Sequence, residues 1–225
     1  MEQIDRIILL DKPAGISSFG CVARVRRYLS QAVGHKVKVG HCGTLDPFAT
    51  GLLIIVTGKN TKRAMEFTKL DKVYAATVQL GATSTTGDPE GEITPVLSEQ
   101  PSLMAIQAAA EQLTGVIQQT PPAFSAIKVN GQRAYKLARQ GREVTLPTRT
   151  VEVYQFEIIS YHYPELEIRV HVSSGTYVRT LAADLGKILG TGAYLTALRR
   201  LSIAKWSVEQ AQPLDDFATL RDNAK

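Results

Sequence analysis

Cysteine is scarce: Cys21 and Cys42 are the only two among 225 residues. A small scaffold stapled by several disulfides is therefore excluded, and a reducing, cytoplasmic setting is expected. No apolar run approaches the ~18 residues of a membrane-spanning helix. The opening MEQIDRIILLDKP also lacks the charge pattern of a secretory leader, so no membrane association is expected. Histidine occurs four times (His35, His41, His162, His171), never in close pairs, and there is no CxxC. No metal site is expected on those spacings. Gly81, Gly87 and Gly91 do not make a phosphate-binding loop, so no nucleotide cofactor is implied either. Low-complexity tracts, internal repeats and an obvious linker are all missing, and residues 1–225 read as a single domain. What is present is ordinary globular material, 44% hydrophobic and 21% charged, long enough to build its own core.

The net charge is +5, and its distribution carries more information than its size. Between Lys12 and Leu45 lie six basic residues (Lys12, Arg24, Arg26, Arg27, Lys36, Lys38) and no acid. Residues 125–150 hold six more (Lys128, Arg133, Lys136, Arg139, Arg142, Arg149) against Glu143 alone. Acids gather elsewhere, in Asp88-Pro89-Glu90-Gly91-Glu92 and in Asp215-Asp216. Either cluster alone could be a solvated face. Two clusters kept apart from the acids are the footprint of a polyanion such as a nucleic acid.

Strand-like and helix-like segments alternate. Arg6–Leu10 predicts a strand that gives way to a loop at Asp11-Lys12-Pro13. Ser17 or Ser18 can cap a helix whose apolar side is Val22, Val25, Leu29 and Ala32, stopped by Gly34. Strands are predicted over Leu52–Thr57 and Lys72–Leu80, and a helix over Ser102–Thr114. Val151–Ile159 and Leu166–Val172 form a strand pair joined through Tyr163-Pro164. Helices are predicted over Thr176–Leu189 and Ala193–Leu201, and a last strand over Lys205–Val208. Antiparallel stretches mixed with helices indicate an α+β fold with a mainly antiparallel central sheet.

One segment stands out: Gly40-His41-Cys42-Gly43-Thr44-Leu45-Asp46-Pro47-Phe48-Ala49-Thr50-Gly51. A turn by itself accounts for Asp-Pro between glycines. Yet proline fixes its own φ and biases Asp46 towards extended backbone, so the carboxylate rides on a stiffened loop. Asp46 is also the first acid after the basic stretch. A carboxylate facing a polyanion weakens binding, and chemistry is one reason to keep it.

The segment resembles the loop His-x-Gly-Thr-Leu-Asp-Pro-x-Ala-Thr-Gly of the tRNA pseudouridine synthase B family at every fixed position. Further stretches resemble family motifs in family order. These are Asp11-Lys12-Pro13 with Gly15-Ile16-Ser17-Ser18, Lys72-Val73-Tyr74-Ala75-Ala76 followed by Leu80-Gly81 and Thr83 to Gly91, Pro121 to Gly131 with Arg133-Ala134-Tyr135, and Ser174-Gly175-Thr176-Tyr177-Val178-Arg179-Thr180-Leu181. The resemblance implies the pseudouridine synthase fold and a cofactor-free isomerisation of uridine at position 55 in the T-loop of tRNA. Family members usually continue into a small carboxy-terminal RNA-binding domain of the PUA type, which this sequence does not contain.

The resemblance also implies roles. Asp46 corresponds to the nucleophile, Tyr74 to the active-site tyrosine that stacks on the target uracil and is expected to assist proton removal, and Arg179 to the arginine that pairs with the carboxylate. Tyr177 and Leu198 correspond to pocket residues, and His41 is suited to fill the space left by an extracted base. Periodicity alone would put Tyr74 and Leu198 in the core. The basic residues Arg24, Arg27, Lys36, Lys38, Lys128, Arg199 and Arg200 are expected to meet the RNA backbone. The expected partner is the T-arm of tRNA, bound by a monomer with no obligatory protein partner. Two other readings remain open at this level: the catalytic subunit of a guide-RNA-dependent particle, and a tRNA-binding or folding module whose catalysis is incidental.

Overall fold

A computed structural model of the protein describes residues 4–129, 131–142 and 144–214. Asn130, Glu143 and the Asp215-Asp216 pair lie outside the described residues. The first elements are β1 (Ile7–Lys12), α1 (Ser18–Val33), β2 (Val39–Cys42), β3 (Thr50–Thr57), α2 (Ala64–Thr68), β4 (Lys72–Leu80), β5 (Ala82–Ser84) and β6 (Ile93–Pro95). There follow α3 (Leu103–Gln112), β7 (Gly115–Gln119), β8 (Lys128–Val129), β9 (Gln132–Arg133), α4 (Ala134–Arg139) and β10 (Arg149–His162). The chain closes with β11 (Glu165–Val172), α5 (Val178–Leu189), β12 (Ala193–Ile203), β13 (Trp206–Ser207) and β14 (Gln212–Pro213). Among the described residues no helix is long and apolar enough to cross a membrane.

The chain divides into two compact units, residues 1–74 with 198–225, and residues 75–197. In the first unit β3 is central. It pairs antiparallel with β1 along Ile7↔Val56 to Lys12↔Gly51. On its other edge it meets β12 in parallel at Arg199↔Thr50 and β2 antiparallel at His41↔Ile55. The period of two sends alternate residues to opposite faces. Leu53 and Ile55 join Ile8 and Leu10 beneath α1, against Val22, Val25 and Leu29. Leu52, Ile54 and Val56 join Leu9 on the other face, with Phe67 of α2 and Ile203. Burial on both faces explains why β3 reads as an unbroken apolar run. Truncating one such buried leucine to alanine typically costs about 2–5 kcal/mol.

Helix α1 follows its local signals. Ser17 accepts from the Gly20 N–H and caps the start, and Gly34 ends the helix at φ 75°. In the second unit β10 and β11 form a long antiparallel hairpin, turned at Tyr163-Pro164 as expected, and β10 also pairs antiparallel with β7. β1 with β14 and β3 with β12 pair in parallel, whereas β1 with β3, β2 with β3, β12 with β13, β10 with β11 and β10 with β7 are antiparallel. The fold is therefore α+β with a mainly antiparallel sheet, as the sequence indicates.

One element differs in type. Ala193–Leu201, expected to be helical, is extended within β12. Its backbone is held by β3, and the Thr196 hydroxyl donates to Thr77 O on β4. Tertiary pairing overrides a helix propensity of only tenths of a kcal/mol per residue. Gly51 makes the approach to β3 possible. A Cβ at Gly51, whose φ is 101°, would lie 2.3 Å from the Arg200 carbonyl oxygen.

Candidate active site

The Asp46 loop joins β2 to β3, and the amino-terminal segment holds it on both sides. Before Asp46, the buried Ser18 hydroxyl accepts from the Leu45 N–H at 2.8 Å and donates to the Leu45 carbonyl at 2.9 Å. After Asp46, the Pro47 carbonyl accepts from the Gly15 N–H at 2.9 Å and from Lys12 Nζ at 3.2 Å. Lys12 is fully buried and also donates to the carbonyls of Pro13 and Ile16. The Ala49 N–H closes the turn on the Asp46 carbonyl. The backbone on either side of the half-buried Asp46 is thus hydrogen-bonded, which limits the directions its carboxylate can take.

Cations lie beneath this loop. Arg200 is 1% exposed, and its guanidinium donates to Leu52 O at 2.6 Å and to Gly43 O at 3.1 Å. The expectation that Arg200 reaches phosphates is corrected by this burial: its donors are spent on backbone carbonyls. Arg199 makes a two-pronged ion pair with Asp11, 2.7 Å at its shorter arm, so its guanidinium is engaged by a carboxylate as well. Both outcomes follow from β12 being a strand, which sends neighbouring arginines to opposite faces.

His41 lies on β2 with its ring partly buried. Burial first, then the Arg200 charge, holds its pKa below the usual imidazole range, with a Gly43 backbone hydrogen bond opposing. The ring is therefore kept neutral near pH 7, the form suited to stacking on a base. Its Nδ1 is buried without a hydrogen-bond partner among the described residues.

Lys72 donates to the carbonyls of Thr68 and Leu70. Its pKa is lowered from 10.5 to about 8, by burial and then by Arg200, against the pull of Asp71 and Cys42. Between those two values the unfolded chain holds a proton that the folded chain releases, so Lys72 makes stability rise with pH across that window. Wild type should accordingly gain on Lys72→Met in urea midpoint between about pH 8 and about pH 10. Midpoints that stay parallel over the window would contradict this assignment.

Tyr74, on β4, is 7% exposed, and Leu198, on β12, is 8% exposed. Arg24 and Arg27 are exposed on α1, Lys36 and Lys38 on the segment after it, and Lys128 on β8. Sequence reasoning passed over Phe19, which is 64% exposed on the same helix, with the Arg26 guanidinium 5.7 Å from its ring centre.

In the second unit Arg179 sits in the first turn of α5. Its guanidinium pairs with Asp88 at 3.2 Å and donates to the carbonyls of Thr86 and Phe124. Both side chains of the pair are 4% exposed. Asp88 reads in sequence as one member of an acid run, within the stretch Thr83 to Gly91 that resembles a family motif. Only the fold reveals it as the buried counter-charge of Arg179, with the Thr86 hydroxyl and the Glu90 N–H donating to it.

Tyr177 is held in two ways that the sequence does not announce. The fully buried Gln119 amide accepts from the Tyr177 N–H at 2.7 Å and donates to its carbonyl at 3.2 Å. The Arg149 guanidinium lies 4.6 Å from the centre of the Tyr177 ring. Among the described residues no cluster of three or more His, Cys, Asp or Glu side chains could hold a metal ion.

Comparison with known proteins identifies the family. Residues 26–178 match the family model for the TruB family pseudouridylate synthase N-terminal domain. The chain is 44% identical to the tRNA pseudouridine synthase B of Thermobifida fusca (strain YX), over 95% of this chain and 74% of that protein. It is 43% identical to the tRNA pseudouridine synthase B of Phocaeicola vulgatus, over 94% of this chain and 91% of that protein. Among solved structures, a chain in the crystal structure of a Cbf5–Nop10–Gar1 complex superposes with a TM-score of 0.70 at 28% identity. That match covers 94% of this chain and 53% of the solved one, so the chain spans about half the length of its structural relative. Identity above 40% along nearly the whole sequence, on this fold, places the chain in the TruB family of pseudouridylate synthases.

Proposed function

We propose that the chain isomerises uridine to pseudouridine at position 55 in the T-loop of tRNA, with Asp46 as the nucleophile. The reaction breaks the bond from uracil N1 to ribose C1′ and forms one from C5 to C1′. The C5 proton leaves and N1 gains one, so the change is redox-neutral and uses no water. A carboxylate with an unperturbed pKa of ~3.9 is ionised at neutral pH and attacks without a separate activating base. The observation that carries the reading is the loop itself. Its Asp46 lies between a Leu45 peptide held by Ser18 and a Pro47 carbonyl held by Lys12 and Gly15.

The other roles follow by family correspondence. Tyr74, Tyr177 and Leu198 form the uracil pocket, and Arg179 keeps the carboxylate ionised in one rotamer. The Arg179 guanidinium is itself ordered by Asp88 and two carbonyls. His41 fills the space of the extracted nucleotide, and Arg24, Arg27, Lys36, Lys38 and Lys128 meet phosphates. Residues 1–225 serve as the catalytic domain, acting as a monomer in the cytoplasm with no cofactor, membrane or obligatory protein partner.

The test is to incubate the protein alone with an unmodified T-arm stem-loop and map pseudouridine. Conversion at the uridine of position 55 supports the reading. Conversion only when guide RNA and partner proteins are added would favour a particle subunit instead. That alternative is suggested by the likeness to a chain solved with Nop10 and Gar1.

Binding and extraction should separate under salt. Lys38→Ala removes a phosphate contact, so its plot of log kcat/KM against log salt should be shallower by about one unit or less. His41→Ala removes stacking worth about 1–3 kcal/mol and should lose activity at an unchanged slope. Equal flattening in both variants would overturn this division of labour.

A further inference from the structure

From the two hydrogen bonds between Ser18 and Leu45, we infer that Ser18 is a positioning residue for the reaction, holding the peptide that leads into Asp46. The inference rests on the proposed role of Asp46. Ser18 sits in the first turn of α1, at 1% exposure, and its hydroxyl is used in both directions on one residue. The preceding Ser17 already caps the helix, so Ser18 is not needed for capping. Its hydroxyl is spent entirely on the loop, 27 residues away in sequence.

The consequence is geometric. The Leu45 carbonyl belongs to the peptide plane that carries the Asp46 nitrogen. Fixing it together with the Leu45 N–H holds the backbone entering Asp46. Gly15 and Lys12 fix only the far side, through the Pro47 carbonyl. Further upstream the Gly43 carbonyl is held by Arg200, so Ser18 is the side chain that holds the peptide immediately before Asp46. Leu45 is 3% exposed, so water cannot readily take over the two hydrogen bonds if the hydroxyl is removed. The loop would then shift to find other partners. A displacement of 1 Å at a reacting group can cost about 100-fold in rate.

Ser18→Ala should lower the single-turnover rate on the T-arm stem-loop by about 10- to 100-fold. The dissociation constant for the same RNA should stay within about twofold, because no phosphate or base contact is deleted. Ser18→Thr keeps the hydroxyl and should recover most of the rate. Thermal midpoints of both variants, read by circular dichroism, identify any loss that comes from unfolding. Asp46→Asn and wild type run alongside. An inactive wild type would reject the proposed function itself. Active wild type with full activity in Ser18→Ala would reject only the positioning role. Equal loss of rate in the folded Ser18→Thr and Ser18→Ala variants would also reject it, because the hydroxyl would then not be what matters.

Discussion

Asp46→Asn should reduce turnover by about 10⁴-fold or more, the scale of loss when an enzyme's nucleophile is removed. The amide nearly matches the carboxylate in size, so the loop held by Ser18, Gly15 and Lys12 should keep its shape. What disappears is charge and nucleophilicity. Affinity for the stem-loop should be unchanged or higher, because a negative charge leaves a region otherwise rich in Lys and Arg. Single-turnover conversion and RNA binding, measured on the same preparation, check both statements. Turnover within about tenfold of wild type would remove Asp46 from the role of nucleophile.

The largest expected effect on stability comes from Asp88→Ala. Removing one partner of a buried ion pair leaves the other charge less compensated in a dry site, at a typical cost of about 3–5 kcal/mol. Arg179 keeps its hydrogen bonds to the carbonyls of Thr86 and Phe124 but loses the charge that Asp88 supplies. In a chain of this size that loss corresponds to a fall in Tm of roughly 10 °C. Calorimetry of Asp88→Ala against wild type measures it directly. A double variant, Asp88→Ala with Arg179→Met, should recover part of the fall, since the arginine then no longer has to be buried without Asp88. A double variant less stable than Asp88→Ala alone would contradict this account of the pair.

Local chemistry was enough for the elements whose signals are local. Ser17 and Gly34 delimit α1 because a side-chain cap and a left-handed residue act within one turn of the helix. The alternation through Lys72–Leu80 and the unbroken apolar run of β3 are likewise intrinsic to strands buried on one face or on two. The Asp46 loop was legible for a different reason: an unusual run of residues that turn chemistry alone does not require.

Tertiary structure decided the rest, because partners distant in sequence set the energy. β12 is a strand because β3 pairs with it, and that choice turns Arg200 inward and commits Arg199 to Asp11. Asp88 left the surface acid run because Arg179, 91 positions further along, needed a buried counter-charge (179 − 88 = 91). Ser18 reads in sequence only as a possible cap and as part of the Gly15-Ile16-Ser17-Ser18 motif, and Gln119 carries no signal there. Each matters through a backbone that folding brings to it, Leu45 in one case and Tyr177 in the other. The sequence alone determined the family, the α+β class and the loop where chemistry is expected, since these rest on residue order and short-range propensity. Which buried polar groups hold that loop and the neighbouring site residues was decided only on folding, because a hydrogen bond in a dry interior depends on geometry that residue order does not contain.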